Sequence, residues 1–136
     1  MFMTNKKRPQ LTTLAAVRAF AAAAKLKRRE LLDDDAAVRR DCNGIGAAWF
    51  PDRLRRALDA MHPALYPASC IHAREYAIGG DAFDRLAADV RFLWNGTVSG
   101  IFRYGFFSVR SVLAGIESIR FFFYLRIGGK FAWRRR

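Results

Sequence analysis

Apolar residues recur along much of this chain at three- and four-residue spacing, the period of a helix. Leu54, Ala57, Leu58 and Met61 stand at i, i+3, i+4 and i+7, after Pro51-Asp52 and before Pro63, which predicts one short amphipathic helix. A second helix starts at Pro67, suited to a first helical turn, and runs through Ile71, His72 and Tyr76 to the stop at Gly79-Gly80. Asp81 caps a third, with Asp84 at the capping-box position and Phe83, Leu86, Val90, Leu93 and Trp94 as its expected buried stripe, up to Asn95-Gly96. Two helices joined by a Gly-Gly turn are expected to pack antiparallel.

The flanks read differently. Residues 1–10 form a short basic lead closed by Pro9, and the Ala-rich run 11–29 predicts a helix. Residues 30–40, with mixed charge, read as a solvated connector. Residues 101–127 are rich in Phe and Ile but punctuated by Arg103, Arg110, Glu117, Arg120 and Arg126. That run is expected to be a core-packing helix, with a helix lying on a membrane surface as the alternative. Gly128-Gly129 ends it, and the tail with Phe131, Trp133 and Arg134-Arg135-Arg136 reads as a solubilising terminus. No window of ~18 uncharged apolar residues exists, so no transmembrane segment is expected. Arg18 interrupts the first apolar stretch, which leaves no convincing signal peptide and an expectation of a cytoplasmic or membrane-peripheral protein. The expected fold is an all-α small helical domain in three segments: a basic helical arm (1–40), a core (41–96) and an aromatic, basic C-terminal helix and tail (97–136).

Composition sharpens this. The 136 residues suit a single core, and 52% hydrophobic content with 14% aromatics excludes a wholly disordered chain. The net charge of +12 is uneven. Residues 1–40 hold ten basic and four acidic residues, 41–90 five and seven, and 91–136 nine and one, so basic arms flank a slightly acidic centre. Such arms suit an anionic partner, either a phospholipid membrane surface or nucleic acid. Two cysteines, Cys42 and Cys70, exclude a multi-bridge scaffold but permit one bridge.

Three features of the centre carry chemistry. Asp41-Cys42-Asn43-Gly44-Ile45-Gly46 is a glycine loop whose backbone is free to turn carbonyls toward a hard cation such as calcium. His72 and Tyr76, one helical turn apart, share a face. Asp89 stands on the next helix, at the flank of its apolar stripe, where it can reach an antiparallel neighbour. If the two meet, Asp89 fixes the His72 tautomer and leaves the other ring nitrogen to take a proton from water. Calcium on the loop carbonyls would stabilise the oxyanion of an attacked ester.

With Cys42-Asn43-Gly44-Ile45-Gly46, Pro67-Ala68-Ser69-Cys70-Ile71-His72-Ala73-Arg74-Glu75-Tyr76, Gly79-Gly80 and Asp84-Arg85-Leu86-Ala87-Ala88-Asp89, the chain resembles the phospholipase A2 superfamily. Its small bacterial and phage-related members are the nearest likeness. The resemblance covers residues 41–94, with a fainter echo at 121–129. It implies a pair of antiparallel catalytic helices and calcium-dependent cleavage of the sn-2 ester of phospholipids. His72 would be the base, Asp89 its orienting partner, Tyr76 a supporting hydrogen-bond donor, and the carbonyls of Cys42, Gly44 and Gly46 the metal loop. One position departs: the family's calcium-binding Asp directly after the histidine is Ala73 here, and Glu75, three residues after His72, projects to the other side. The cysteine spacing departs too. The resemblance therefore implies either a hydrolase or a degenerate one, and the competing reading is a non-catalytic cationic protein that binds anionic lipid or nucleic acid. A zinc site from Cys42, His62, Cys70 and His72 lacks paired C-x₂-C spacing and is disfavoured.

Overall fold

The computed structural model describes residues 13–42 and 51–134. They are all-helical, with no strand among the described residues. In chain order come α1 (Leu14–Ala23), a 3-10 turn (Arg29–Leu32), α2 (Asp35–Asp41), α3 (Asp52–Met61), a 3-10 turn (Pro63–Leu65), α4 (Tyr66–Ile78), α5 (Ala82–Tyr104), α6 (Val109–Gly128) and a last 3-10 turn (Gly129–Phe131).

The N-terminal half is shorter in its helices and better packed than the sequence suggests. Thr13 caps α1 by accepting from the Ala16 amide at 3.2 Å, but the helix stops at Ala24 rather than reaching 29, because Lys25 and Arg28 take positive φ (53° and 62°). Asn95 of α5 secures that reversal: its side chain accepts from Lys27 N at 2.8 Å and donates to Lys27 O at 2.9 Å. Residues 30–40 are no solvated connector. Asp34 caps α2 through the Ala37 amide, and Leu32, Ala37 and Val38 are buried. With Val17, Ala21, Leu26, Cys70 and Ile71, Leu32 and Val38 form one apolar core, so the arm and the 41–96 segment share a core across residue 40. A disulfide joins Cys42, at the end of α2, to Cys70 in α4.

The two central helices form as the spacing predicts. Pro67 lies in the first turn of α4, and Gly79 ends it at φ +75°, where a β-carbon would collide with the Arg134 carbonyl. Asp81 and Asp84 make the reciprocal capping box of α5.

The predicted stripe of α5 faces the wrong way, however. Phe83, Leu86, Val90 and Trp94 are exposed and Leu93 is half-buried, while Ala88, Asp89, Phe92, Asn95, Gly96, Ser99 and Gly100 face inward. The inner face binds the Lys27 backbone and Asp89's partners and lets α6 approach closely, so it carries small and polar residues. Asn95-Gly96 is accordingly no break. A β-carbon at Gly96 would press on Ser118 of α6 and Leu65, and α5 runs on to Gly105.

The 101–127 run is likewise not one core helix. Its first residues finish α5, the turn 105–108 reverses the chain, and Ser108 caps α6, which returns antiparallel along α5. α6 buries Ser111, Ala114 and Ser118, half-buries Phe121, Phe122 and Leu125, and turns most of its other large apolar residues outward. The tail is more than a solubilising end, because Trp133 is buried against Tyr76, with ring centroids 5.0 Å apart. α3 spans the predicted residues, and Leu54, Ala57 and Met61 on it are exposed.

Candidate active site

Two helices running in opposite directions from the Gly79–Asp81 turn bring His72, Tyr76 and Asp89 together. His72 Nε2 lies 2.9 Å from Asp89 Oδ1, and the Tyr76 hydroxyl donates to the same oxygen at 2.7 Å. A carboxylate opposite Nε2 selects the tautomer with the proton on Nε2, which leaves the Nδ1 lone pair as the basic position. Tyr76, with ring centroids 4.2 Å away, and Phe92, at 5.3 Å, flank the imidazole.

Asp89 is 0% exposed, an expensive place for a charge unless every oxygen is bonded. Its second oxygen, Oδ2, accepts from Arg126 Nη1 of α6 at 2.7 Å. Burial by itself raises the carboxyl pKa, but the hydrogen bonds from His72, Tyr76 and Arg126 together outweigh it and hold Asp89 below the usual carboxylate range. Tyr76 moves the other way. Burial and the adjacent Asp89 carboxylate push its phenol up from the ordinary value.

The C-terminal segment closes this arrangement. Arg85 Nη2 donates to the carbonyls of Leu125 and Arg126 at 2.8 and 3.0 Å, fastening the end of α6 to α5. Trp133 Nε1 donates to Gly80 O at 3.0 Å, Gly80 N to Arg134 O at 3.0 Å, and Arg134 N to Tyr76 O at 3.3 Å. The tail therefore straps the α4–α5 turn from which the site is built.

Two ties hold residues 41–42 beside α4. One is the Cys42–Cys70 disulfide, two residues before His72, and the other is the Asp41–Arg74 ion pair. Asp41, bonded first by Arg40 and then by Arg74, is held below the usual carboxylate pKa. Gly44 and Gly46, expected to supply calcium carbonyls together with Cys42, lie outside the described residues.

Each carboxylate close to His72 is held by an arginine, and none is left free for calcium. Ala73 has no carboxylate. Asp41 is paired with Arg40 and Arg74, and Asp89 with Arg126. Glu75, 4% exposed, pairs with Arg91 at 2.5 Å and lies 3.7 Å from Arg28. Among the described residues no group of three His, Cys, Asp or Glu could hold a metal ion. The four-residue zinc set fails on chemistry: both cysteine sulfurs are bonded to each other, and His62 lies 3.9 Å from Glu117.

A second surface stands out on α6. Val109, Val112, Leu113, Ile116, Ile119, Phe123 and Ile127 follow helical spacing over its whole length and are all exposed. At the α5–α6 tip, Phe106 and Phe107, the latter 96% exposed, stack edge to face at 4.9 Å, and Arg103 and Arg110 each sit 5.9 Å from the Tyr104 ring. Among the described residues no helix is long and apolar enough to cross a membrane.

No protein-family model, no curated protein and no solved structure matches this chain.

Sequence reasoning singled out His72, Tyr76 and Asp89, and the structure brings all three together. It passed over Arg126, Arg85 and Trp133. A charge set inside the aromatic run 121–127, immediately before Gly128-Gly129, was the available sign for Arg126.

Proposed function

We propose that the chain is a phospholipase A2-like hydrolase of the sn-2 ester of phospholipids, working at a lipid surface. The observation that carries this reading is the arrangement of His72 Nε2, Asp89 Oδ1 and the Tyr76 hydroxyl, which leaves Nδ1 of a tautomer-fixed imidazole as base. In the proposed step, Nδ1 takes a proton from water as the water oxygen attacks the ester carbonyl carbon. The tetrahedral intermediate then collapses, the ester C–O bond breaks, and the imidazolium returns its proton to the departing lysophospholipid oxygen. Asp89 holds the ring orientation throughout and stabilises the transient imidazolium.

The described residues around His72 do not fit calcium: residue 73 is an alanine, and Asp41, Glu75 and Asp89 are each held by an arginine. The test is fatty-acid release from phospholipid vesicles with calcium or a chelator, comparing the unmodified chain with His72→Ala. Release that is abolished in the variant supports hydrolysis. No release at any calcium concentration ends the reading.

The α6 surface favours a second reading, lipid binding without turnover. Its exposed apolar stripe is accompanied by Arg110, Arg120 and Lys130 and a single acid, Glu117, within residues 109–131 apart from Arg126 of the site. An apolar face with cationic borders suits an anionic bilayer better than nucleic acid, whose contacts are made by charge and polar groups. Vesicle binding that ignores His72→Ala, in a chain that releases no fatty acid, is the outcome this reading requires.

A further inference from the structure

A buried His–Asp pair faces a conflict of charge. Asp89 has no exposure to water, and a carboxylate in that position must be compensated. If the compensating charge came from His72, the ring would be an imidazolium and could accept no proton. If Asp89 took the proton instead, its acceptor capacity for His72 and Tyr76 would fall. The first outcome removes the base, and the second leaves the ring without a fixed tautomer or a counter-charge for the imidazolium formed in the reaction.

The geometry points to Arg126 as the positioning residue that resolves this conflict, an inference that rests on the hydrolase reading and assigns one further residue to it. A guanidinium does not lose its proton in a protein, so its charge at Asp89 is permanent. Arg126 Nη1 occupies Oδ2 at 2.7 Å, leaving Oδ1 for His72 and Tyr76, whose donors approach at 2.9 and 2.7 Å. Asp89 thereby has a permanent counter-charge on Oδ2 and need not draw one from the imidazole, whose ring Oδ1 can orient for the proton transfer of the hydrolase reading.

The guanidinium is itself held. Arg85 anchors the carbonyls of Leu125 and Arg126, and the tail beyond α6 is pinned by Trp133 to Gly80. Arg126 remains 32% exposed on its side chain, so its charge is partly solvated. It acts through Asp89 and touches no reacting atom.

The experiment compares Arg126→Gln and Arg126→Lys, with the exposed Arg120→Gln as control, by two readouts. Vesicle hydrolysis gives kcat and KM: Arg126→Gln is expected to lower kcat about ten- to a hundredfold with KM within about twofold, and Arg126→Lys to recover most of the loss. Long-range proton–nitrogen spectra of the imidazole rings, simple to assign in a chain with two histidines, need no activity. The unmodified chain and the Lys and Arg120→Gln variants should show His72 as one tautomer protonated at Nε2, and the Gln variant a protonated or mixed ring. A His72 spectrum unchanged in Arg126→Gln overturns the inference, as does an unchanged kcat. Should Arg126→Gln fail to fold, Arg126→Lys decides: it keeps the charge, so a His72 spectrum unlike that of the unmodified chain overturns the inference. If the unmodified chain releases no fatty acid, the hydrolase reading falls, while the spectra still decide whether Arg126 sets the state of His72.

Discussion

The Tyr76 hydroxyl and His72 Nε2 meet on one oxygen of Asp89, at 2.7 and 2.9 Å, although Tyr76 and His72 are neighbours on a single helix and Asp89 stands on the next. The two donors are therefore not interchangeable. Tyr76→Phe removes one bond to a buried carboxylate and leaves the imidazole bond in place. It should cost about 1–3 kcal/mol of stability and lower hydrolysis without abolishing it, read by urea unfolding and vesicle assay. His72→Ala should abolish hydrolysis.

The opposed pKa shifts of Asp89 and Tyr76 set two pH limits. Asp89 is depressed, so its stabilisation is complete above the unfolded carboxyl value of about 3.9 and is lost as pH falls through the lower folded value. Tyr76 is raised, so its stabilisation is complete below about 10, the unfolded phenol value, and is lost as pH climbs beyond it. Urea midpoints followed across pH should fall at both ends. In Tyr76→Phe the alkaline fall should shrink.

Trp133 is predicted to matter as much as an interior residue. Trp133→Ala removes the face packed on Tyr76 and leaves the Gly80 carbonyl without its donor, at a cost of about 3–5 kcal/mol. Trp133→Phe keeps the packing and should lose about 1 kcal/mol, the hydrogen bond alone. Equal losses in the two variants would show that the ring contributes little.

Ala73→Asp places a carboxylate directly after His72. A calcium-induced rise in melting temperature, absent from the unmodified chain, is the expected result, with hydrolysis becoming sensitive to chelator. A folded variant indifferent to calcium would show that the glycine loop does not present its carbonyls to residue 73.

The outward face of α6 should be separable from folding. Ile116→Asp and Phe123→Ser alter exposed side chains, so stability should change by no more than about 0.5 kcal/mol. Binding to anionic vesicles, measured by co-sedimentation, should weaken severalfold and show a smaller response to salt where a charge of opposite sign is introduced.

Local signals were readable where chemistry is local. Pro67, Gly79 and the Asp81/Asp84 box fix helix ends through backbone bonds a few residues away, and α4 and α5 begin where those residues place them. The His72–Asp89 meeting followed from an antiparallel pair with a short turn. The direction of each apolar stripe was not legible. Periodicity locates a stripe on a helix but not whether it faces protein or solvent, and Phe83, Leu86 and Val90 face out because Asp89, Asn95 and Gly96 are needed inside. Arg126 and Trp133 were invisible for another reason: their partners are 37 and 53 residues away, beyond any spacing rule.

The strap of residues 129–134 over the Gly79-Gly80 turn governs the order in which a growing polypeptide becomes complete. The residues bearing the imidazole and its acid leave the ribosome first, yet Asp89 lacks its guanidinium, and Tyr76 its indole cover, until about forty further residues have followed. A stalled or clipped chain would thus carry the reactive pair in an open, hydrated cluster.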